Sequence, residues 1–322
     1  MNESVSILMP TYNSERYIVE TLDSISNQDC RDFKVYIFDS FSTDRTIEII
    51  QDYEDKFNIE IFSGNANLYE AWNYLLNVSL GEFVYFLPSD DIVHPQCISI
   101  FQEHLKLNPK INIVCSQKLK SNYVCSEFLN KKLKKNSSYQ INEFPYDFLI
   151  YSTGYSFYES LTQLMLRKSF INKHRIYFPQ GYGSKSDFYF SMHATSLSST
   201  LHINYELSMW RIHEFQATQK KDENYDYDLF KIVNSFKNVD TQSRFKNIYL
   251  SNLKSLRGSS VFDLIRQGRL LKAFKFFNIS SFHLFIYKLC YKLKLNILHP
   301  SFYRYKRLIM NKKLKPLIKL YD

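Results

Sequence analysis

Glycine is scarce in this chain, at seven of 322 residues, which excludes collagen-like repeats and linker-rich arrangements. Cysteine is rarer still. Cys30, Cys97, Cys115, Cys125 and Cys290 are odd in number and form no CxxC pair. That argues against a disulfide framework or a structural zinc site, and for a reducing compartment. No apolar run reaches the roughly 20 residues that a membrane-spanning helix needs. The opening MNESVSILMP lacks a basic segment before its short apolar stretch, so no secretory leader is expected. A cytoplasmic protein is the expectation. No internal repeat is found.

Apolar and aromatic residues are plentiful. The chain is 45% hydrophobic, with 25 Tyr and 27 Phe, enough for a sizeable core in one large domain or two smaller ones. The formal charge of +9 is unevenly spread. Residues 254–322 carry 16 Lys+Arg against 2 Asp+Glu, leaving 25 against 30 in residues 1–253. A slightly acidic body with a strongly basic tail suggests that the tail meets phosphates, on a lipid or a nucleic acid.

The hydrophobic pattern alternates between strand and helix. Val5–Pro10 reads as a strand stopped by proline, and Ile18, Leu22 and Ile25 form one helix face that Asn13 or Ser14 could cap. Strands follow at residues 33–39, 59–64 and 83–87, with helices at 46–53 and 68–78 between them. A helix over 96–107 and a strand at INIVCSQK come next. Residues 118–144 are polar and weakly periodic and read as a surface loop. Ser160–Ile171 reads as a strand running into a helix, and a glycine-bearing loop precedes a helix with Asp187 near its start. HINYELSMWRIHEFQAT reads as a strand and then a loop, and the chain is mostly helical from Tyr225. Such alternation implies βαβ units and a mostly parallel sheet, with ligands at the carboxyl ends of the strands.

Three polar clusters fall at those ends: TYN after the first strand, Asp39 after the second, and Asp90–Asp91 after the fourth. Loops without a shared task have no reason to converge on one edge. Two adjacent carboxylates suit Mg²⁺ or Mn²⁺, which take one or two carboxylates plus substrate phosphates. One Asp could hold metal while its neighbour meets a ribose hydroxyl. Asp39 could accept from the N–H of a planar base on which Tyr12 stacks. Asp187 lies among aromatics, which could raise its pKa and suit it to take a proton. As ordinary structure, these residues would be turn formers, caps and packing.

The order of these motifs resembles glycosyltransferase family two. SILMPTYNSERYIVETLDSISNQ is similar to the family's opening. VYIFDSFSTDRTIEII is similar to the stretch usually written D-D-G-S-T-D, and GNANLYEAWN with GEFVYFLPSDD to its following helix and metal motif. The resemblance is strong over residues 4–110 and thinner to about 215. It implies an α/β chain with the GT-A (Rossmann-like) fold, a mostly parallel central sheet flanked by helices. A helical, basic C-terminal extension follows, with a boundary expected between residues 1–220 and 221–322. It also implies inverting transfer of a sugar from a nucleoside diphosphate, UDP most readily, to a glycan or lipid-linked acceptor in surface polysaccharide synthesis. Carried over, Pro10, Thr11, Tyr12, Asp39, Asn67 and Asp90 bind the nucleotide sugar. Asp91 and His213 hold a divalent Mn²⁺ or Mg²⁺, and Asp187 is the catalytic base.

The sequence also departs from the family. Phe41 stands where D-D-G-S has glycine, Ser40 replaces its second Asp, and KSDF offers one acid where a pair is usual. Glu70 and Asn73 occupy a helix where many relatives have a basic residue. These changes keep a non-catalytic nucleotide-sugar binder or scaffold as a second reading. A nucleotidyltransferase would want a Gly-rich, basic loop after the first strand, which PTYNSERY does not supply. The aromatic, basic tail over residues 254–322 has the composition of an interfacial helix, so it either meets the anionic inner face of the cell membrane or packs on the catalytic domain. Nucleic acid is not expected as a partner, for want of a recognised module.

Overall fold

A computed structural model describes residues 4–133, 138–156, 158, 160–214, 216, 225–241, 243–267, 269, 273, 308 and 314–321. Chain order runs β1 (Val5–Thr11), α1 (Ile18–Ser26), β2 (Phe33–Asp39), α2 (Thr46–Gln51), β3 (Ile59–Ser63), α3 (Leu68–Val78) and β4 (Phe83–Phe86). It continues with β5 (Ile92–Val93), α4 (Cys97–Leu107), β6 (Ile113–Ser121), α5 (Ser126–Asn130), β7 (Tyr139–Asn142) and α6 (Tyr146–Tyr151). Then come β8 (Leu164–Arg167), α7 (Lys168–His174), α8 (Ser186–Thr195), β9 (Thr200–Arg211), α9 (Tyr225–Ser235), α10 (Ser243–Arg266) and β10 (Ile318–Tyr321).

The strands form one sheet in the order β10-β7-β9-β6-β8-β4-β1-β2-β3, and β5 pairs with β9. The block β3-β2-β1-β4 is parallel, as the βαβ pattern requires. β8 then joins antiparallel between β4 and β6, and β6 with β9 is parallel again. β4 and β6 therefore point the same way, so their carboxyl ends share an edge.

Alternation along the strands explains why both faces are covered. Ile7, Met9, Val35 and Ile37 enter one core with the α1 stripe Ile18, Leu22 and Ile25. Leu8, Tyr36, Phe38 and Phe86 enter the other, against Trp72 and Leu75 of α3 and Phe190 of α8. Trp72 is nearly fully buried, so its truncation to Ala would cost about 3–5 kcal/mol.

Two local expectations are corrected. The N-cap of α1 is Tyr17, without a side-chain cap. Ser14 instead receives the Tyr17 and Ile18 N–H groups at its carbonyl (2.9 and 3.0 Å). Its hydroxyl and the Asn13 amide are turned towards neighbouring loops. Residues 118–144 are not one loop, because they hold the end of β6, then α5 and β7. The polar end of β6 is a strand whose lysines face a cavity rather than the core, so it lacks the apolar alternation that marks a strand.

The glycine-bearing loop does precede α8, and Gly181 and Gly183 take φ of +84° and +52° there, where a Cβ would be strained. At the sheet's far edge β10 runs antiparallel to β7, pairing Ile318 with Asn142. Leu308, Leu314 and Leu317 of the basic tail are buried in the same core as Trp72. Most of the segment read as a membrane-facing tail lies outside the described residues. Among the described residues, no helix is long and apolar enough to cross a membrane.

Candidate active site

A cavity of about 880 Å³ opens at the carboxyl edge of the parallel block. Pro10, Thr11 and Tyr12 line it from the end of β1, Asn67 from the start of α3, and Asp90 and His213 from the far side. These are six of the nine residues singled out from sequence. Asp39, Asp91 and Asp187 do not line it.

The walls are loops, held by small polar side chains. Ser14 Oγ lies 2.8 Å from Ser89 Oγ and joins the loop after β1 to the one after β4. Asn13 N–H donates to Ser42 Oγ (2.9 Å), while the Asn13 amide oxygen accepts from Thr43 N–H (2.8 Å). Ser14 N–H donates to Thr46 Oγ1 at 2.7 Å. Tyr12 projects from this frame with 61% of its surface exposed, a free face for a planar ligand. Asp39 lies just behind. Its carboxylate accepts from the Ser42 N–H (2.8 Å) and hydroxyl, and its carbonyl accepts from Gly64 N–H (3.1 Å).

Asn67 is the N-cap of α3. Its carbonyl oxygen accepts from Tyr69 N–H (3.0 Å) and Glu70 N–H (3.1 Å). Glu70 completes the capping box by accepting from Asn67 N–H (2.9 Å). Asn73 makes two hydrogen bonds with the Phe178 backbone (2.7 and 2.9 Å). Glu70 and Asn73 are thus engaged in holding α3 and the loop before α8.

The adjacent carboxylates have different surroundings. Asp90 faces the cavity with Oδ2 3.0 Å from His213 Nε2. Asp91 turns inward and is 1% exposed. It accepts from Arg211 N–H (3.1 Å) and from the Thr162 hydroxyl (3.3 Å). Burial and the neighbouring Asp90 raise its carboxyl well above the ordinary range, against the pull of the Arg211 N–H, Lys118 and Thr162. Successive side chains point apart, so of this pair only Asp90 meets the cavity, and Asp91, to which the resemblance assigns the metal, is turned away from it. His213 also packs on Tyr17, with ring centroids 4.2 Å apart, and its Nδ1 is buried without a hydrogen-bond partner among the described residues.

Sequence reasoning missed Arg211. Its Nε donates to the Asp90 carbonyl at 2.9 Å, and its guanidinium pairs with Glu20. Its place two residues before His213 was the available signal. No cluster of three His, Cys, Asp or Glu side chains that could hold a metal occurs among the described residues. Asp90 and His213 are the two potential donors in contact across the cavity, and the carboxylates Glu15 and Asp44 also line it.

Asp187 sits in the first turn of α8, partly buried. Burial pushes its carboxyl from 3.8 up to about 6, against the backbone N–H groups of Phe188 and Asp187 and the charge of Lys185. The loop leading to it is tied to the cavity wall by the Asn67 amide, which donates to Gln180 Oε1 at 3.1 Å.

Comparison with known proteins gives these residues a context. A model of the family described as Glycosyl transferase family 2 matches residues 6–172. The poly(ribitol-phosphate) beta-N-acetylglucosaminyltransferase TarS of Staphylococcus aureus (strain Mu50) is 37% identical over 98 residues, which are 29% of this chain and 17% of that protein. The abequosyltransferase RfbV of Salmonella typhimurium (strain LT2) is 33% identical over 120 residues, 35% of this chain and 36% of that one. The match thus spans about a sixth and about a third of these two relatives. Among solved structures, S. aureus TarS 1–349 in complex with UDP-GlcNAc superposes with a TM-score of 0.66 at 19% identity, covering 90% of this chain and 92% of that one. A Pyrobaculum calidifontis mannosyltransferase in complex with GDP-Man and Mn²⁺ gives 0.57 at 17% identity, covering 96% and 86%. These likenesses establish the fold, a mixed sheet flanked by helices as in GT-A enzymes.

Proposed function

The chain belongs to glycosyl transferase family 2, and from that premise we propose that it moves a sugar from a UDP-sugar to a hydroxyl of a surface glycan or lipid-linked acceptor, with inversion. The observation that carries this reading is the convergence of Tyr12, Asn67, Asp90 and His213 on one cavity at the carboxyl edge of the sheet. TarS and RfbV, named for transfer of sugars, support the class of reaction, and the TarS complex with UDP-GlcNAc supports a uridine donor.

Tyr12 offers its exposed face to the base, and Asp39, behind the wall, holds the adjoining loop by accepting from Ser42. Thr11 and Pro10 form the floor beneath. Asp90 and His213 would hold a divalent cation. One carboxylate and one imidazole, completed by diphosphate oxygens and water, are a donor set that suits Mn²⁺ more than Mg²⁺. The chemistry such an ion supplies is Lewis-acid stabilisation of charge on the diphosphate. Asp187 takes the proton from the acceptor hydroxyl as its oxygen bonds to the anomeric carbon and the bond to the diphosphate breaks, the electron pair leaving with phosphate. A carboxyl raised to about 6 is ionised at neutral pH yet more basic than an ordinary Asp. One displacement inverts the anomeric centre and needs no protein nucleophile.

The test is binding and slow hydrolysis of UDP-, dTDP- and GDP-sugars by the purified protein, with and without Mn²⁺. Metal-dependent use of one donor, abolished by Asp90→Ala and retained by a surface control such as Lys56→Ala, is the expected result. No binding to any donor with Mn²⁺ present would sink the transferase reading and leave the scaffold.

A further inference from the structure

Arg211 stands opposite Asp90 because of a short ladder. β5 follows the Asp90–Asp91 pair at once and runs antiparallel to β9, pairing Ile92 with Met209 and Val93 with Ser208. Continued by two residues, that register sets Arg211, the last residue of β9, across from Asp90. The arginine then holds both acids. Its N–H donates to Asp91 Oδ1 (3.1 Å), and its Nε donates to the Asp90 carbonyl (2.9 Å). The other oxygen of Asp91 accepts from Thr162. On that side a second cavity, of about 730 Å³, lies over β6 and β9, lined by Lys118 and by Gln163 next to Thr162. Asp91 is thus fixed on the inner side, and alternation turns Asp90 to the first cavity.

The guanidinium is anchored on α1. It pairs with Glu20 and lies over the Tyr17 ring, 5.2 Å from its centroid. Tyr17 packs in turn on His213, whose Nε2 is 3.0 Å from Asp90 Oδ2. These contacts close a ring from Arg211 through Tyr17, His213 and Asp90 back to Arg211. The ion pair alone does not account for it. The Glu20 side chain is 45% exposed, and a pair so wetted is worth little, yet the Arg211 side chain is only 7% exposed. The contacts that need a buried guanidinium are those to the Asp90 carbonyl and the Tyr17 ring. A rigid planar fork serves both at once, and an ammonium does not.

We infer that Arg211 is the positioning residue of the cation site. It sets the Asp90 turn and the Tyr17–His213 stack so that carboxylate and imidazole meet on the cavity wall. The inference rests on the transferase reading above, in which those two residues would hold the cation.

The opposite edge of the sheet supplies a matched control. Arg167, across from Phe83 at the start of β4, has a side chain 14% exposed and pairs with Glu82 (2.9 Å). It lies over the Phe83 ring at 5.2 Å and donates through Nε to the Ile111 carbonyl (3.0 Å). It makes the same kinds of contact as Arg211, away from the site.

The experiment titrates the full chain with Mn²⁺, with and without UDP, following the electron paramagnetic resonance signal of the free ion. UDP affinity without metal and urea denaturation are measured beside it. Arg211→Ala should weaken Mn²⁺ by about 10–100-fold and leave metal-free UDP within about twofold. Arg211→Lys keeps a charge for Glu20 but lacks the fork, so it should stay at least about tenfold weaker, and it carries the test if the alanine variant does not fold. Arg167→Ala should lose comparable stability in urea and bind Mn²⁺ within about twofold of wild type. Mn²⁺ affinity unmoved in either Arg211 variant, or lowered equally by Arg167→Ala, overturns the inference alone. A wild-type chain that binds UDP but no Mn²⁺, with or without the nucleotide, overturns it too and leaves the transferase reading standing. A chain that binds neither Mn²⁺ nor any UDP-, dTDP- or GDP-sugar overturns both.

Discussion

The cavity beside Asp90 is walled by loops, and the one beside Lys118 by strands. Loops have no ladder to hold them, so the first cavity depends on short polar side chains that reach from one turn to the next: Asn13 to Thr43, Ser14 to Ser89 and Glu15 to Arg45. It also keeps two residues in left-handed backbone, Asn13 at φ 48° and Phe41 at φ 59°. Asn tolerates that region, whereas Phe is strained in it. The second cavity inherits its walls from β6 and β9 and fixes its back with desolvated charge. His202 Nε2 meets Asp147, its Nδ1 lies 3.0 Å from Cys115 Sγ, and the Tyr158 hydroxyl donates to Asp147 at 2.7 Å. The contrast teaches that a loop-built site is held by many weak, local bonds and a strand-built one by a few buried bonds that cannot be halved.

The sharpest separation of the two regions is kinetic. Asp187→Asn should lower turnover by roughly 10²–10⁴-fold, the usual worth of a general base. UDP affinity should stay within about twofold, which equilibrium titration checks. Wild-type turnover should rise with pH through about 6 as Asp187 ionises. A profile flat from pH 5 to 7 would remove it from the base role.

Breaking the strand-built wall should show in stability instead. Asp147→Ala leaves His202 buried beside no carboxylate and should cost about 3–5 kcal/mol in urea denaturation. The same pair predicts a pH window. Burial alone would lower His202, but Cys115 and Asp147 raise it from 6.5 to about 10, so its contribution is full below about 6.5 and is lost as pH rises through about 10. Asp147 is buried too, yet His202, Tyr158 and Asn142 hold its carboxyl below 3.8, so its contribution fades only in acid, below that value. Thermal melts from pH 4 to 10 should therefore decline on the alkaline side, and Asp147→Ala should flatten that decline.

The smallest effect has the opposite sign. Phe41→Gly relieves left-handed strain at a side chain that is 58% exposed and should stabilise the chain by about 1 kcal/mol. A loss of stability there would mean that Phe41 packs usefully, and the loop-built wall would be less strained than its dihedrals indicate.

The same contrast explains what the sequence made legible. β1 to β4 are short apolar runs between helical stripes, and their ends brought Tyr12 and Asp90 together from pattern alone; Asn67 entered only through the family resemblance, and Asp39, nominated by the same pattern, does not line the cavity. Asp90 and Asp91 were equivalent on paper. Which one meets the cavity depends on where Arg211 offers its N–H, 120 residues further on. The second region was opaque for two reasons. The polar half of β6 turns its lysines to a cavity, so its periodicity looks like a loop. His202 and Asp147 are separated by 55 residues, and no spacing rule joins them.

Asn67 has a consequence for ligand choice. Its carbonyl oxygen is committed to the two N–H groups that start α3, so the side chain can address the cavity only through its NH₂. At that point the wall is a one-way reader, answering oxygens and ignoring hydrogens. A donor that turns a phosphate or carbonyl oxygen towards Asn67 is recognised, and the same donor inverted to present N–H finds nothing to hold.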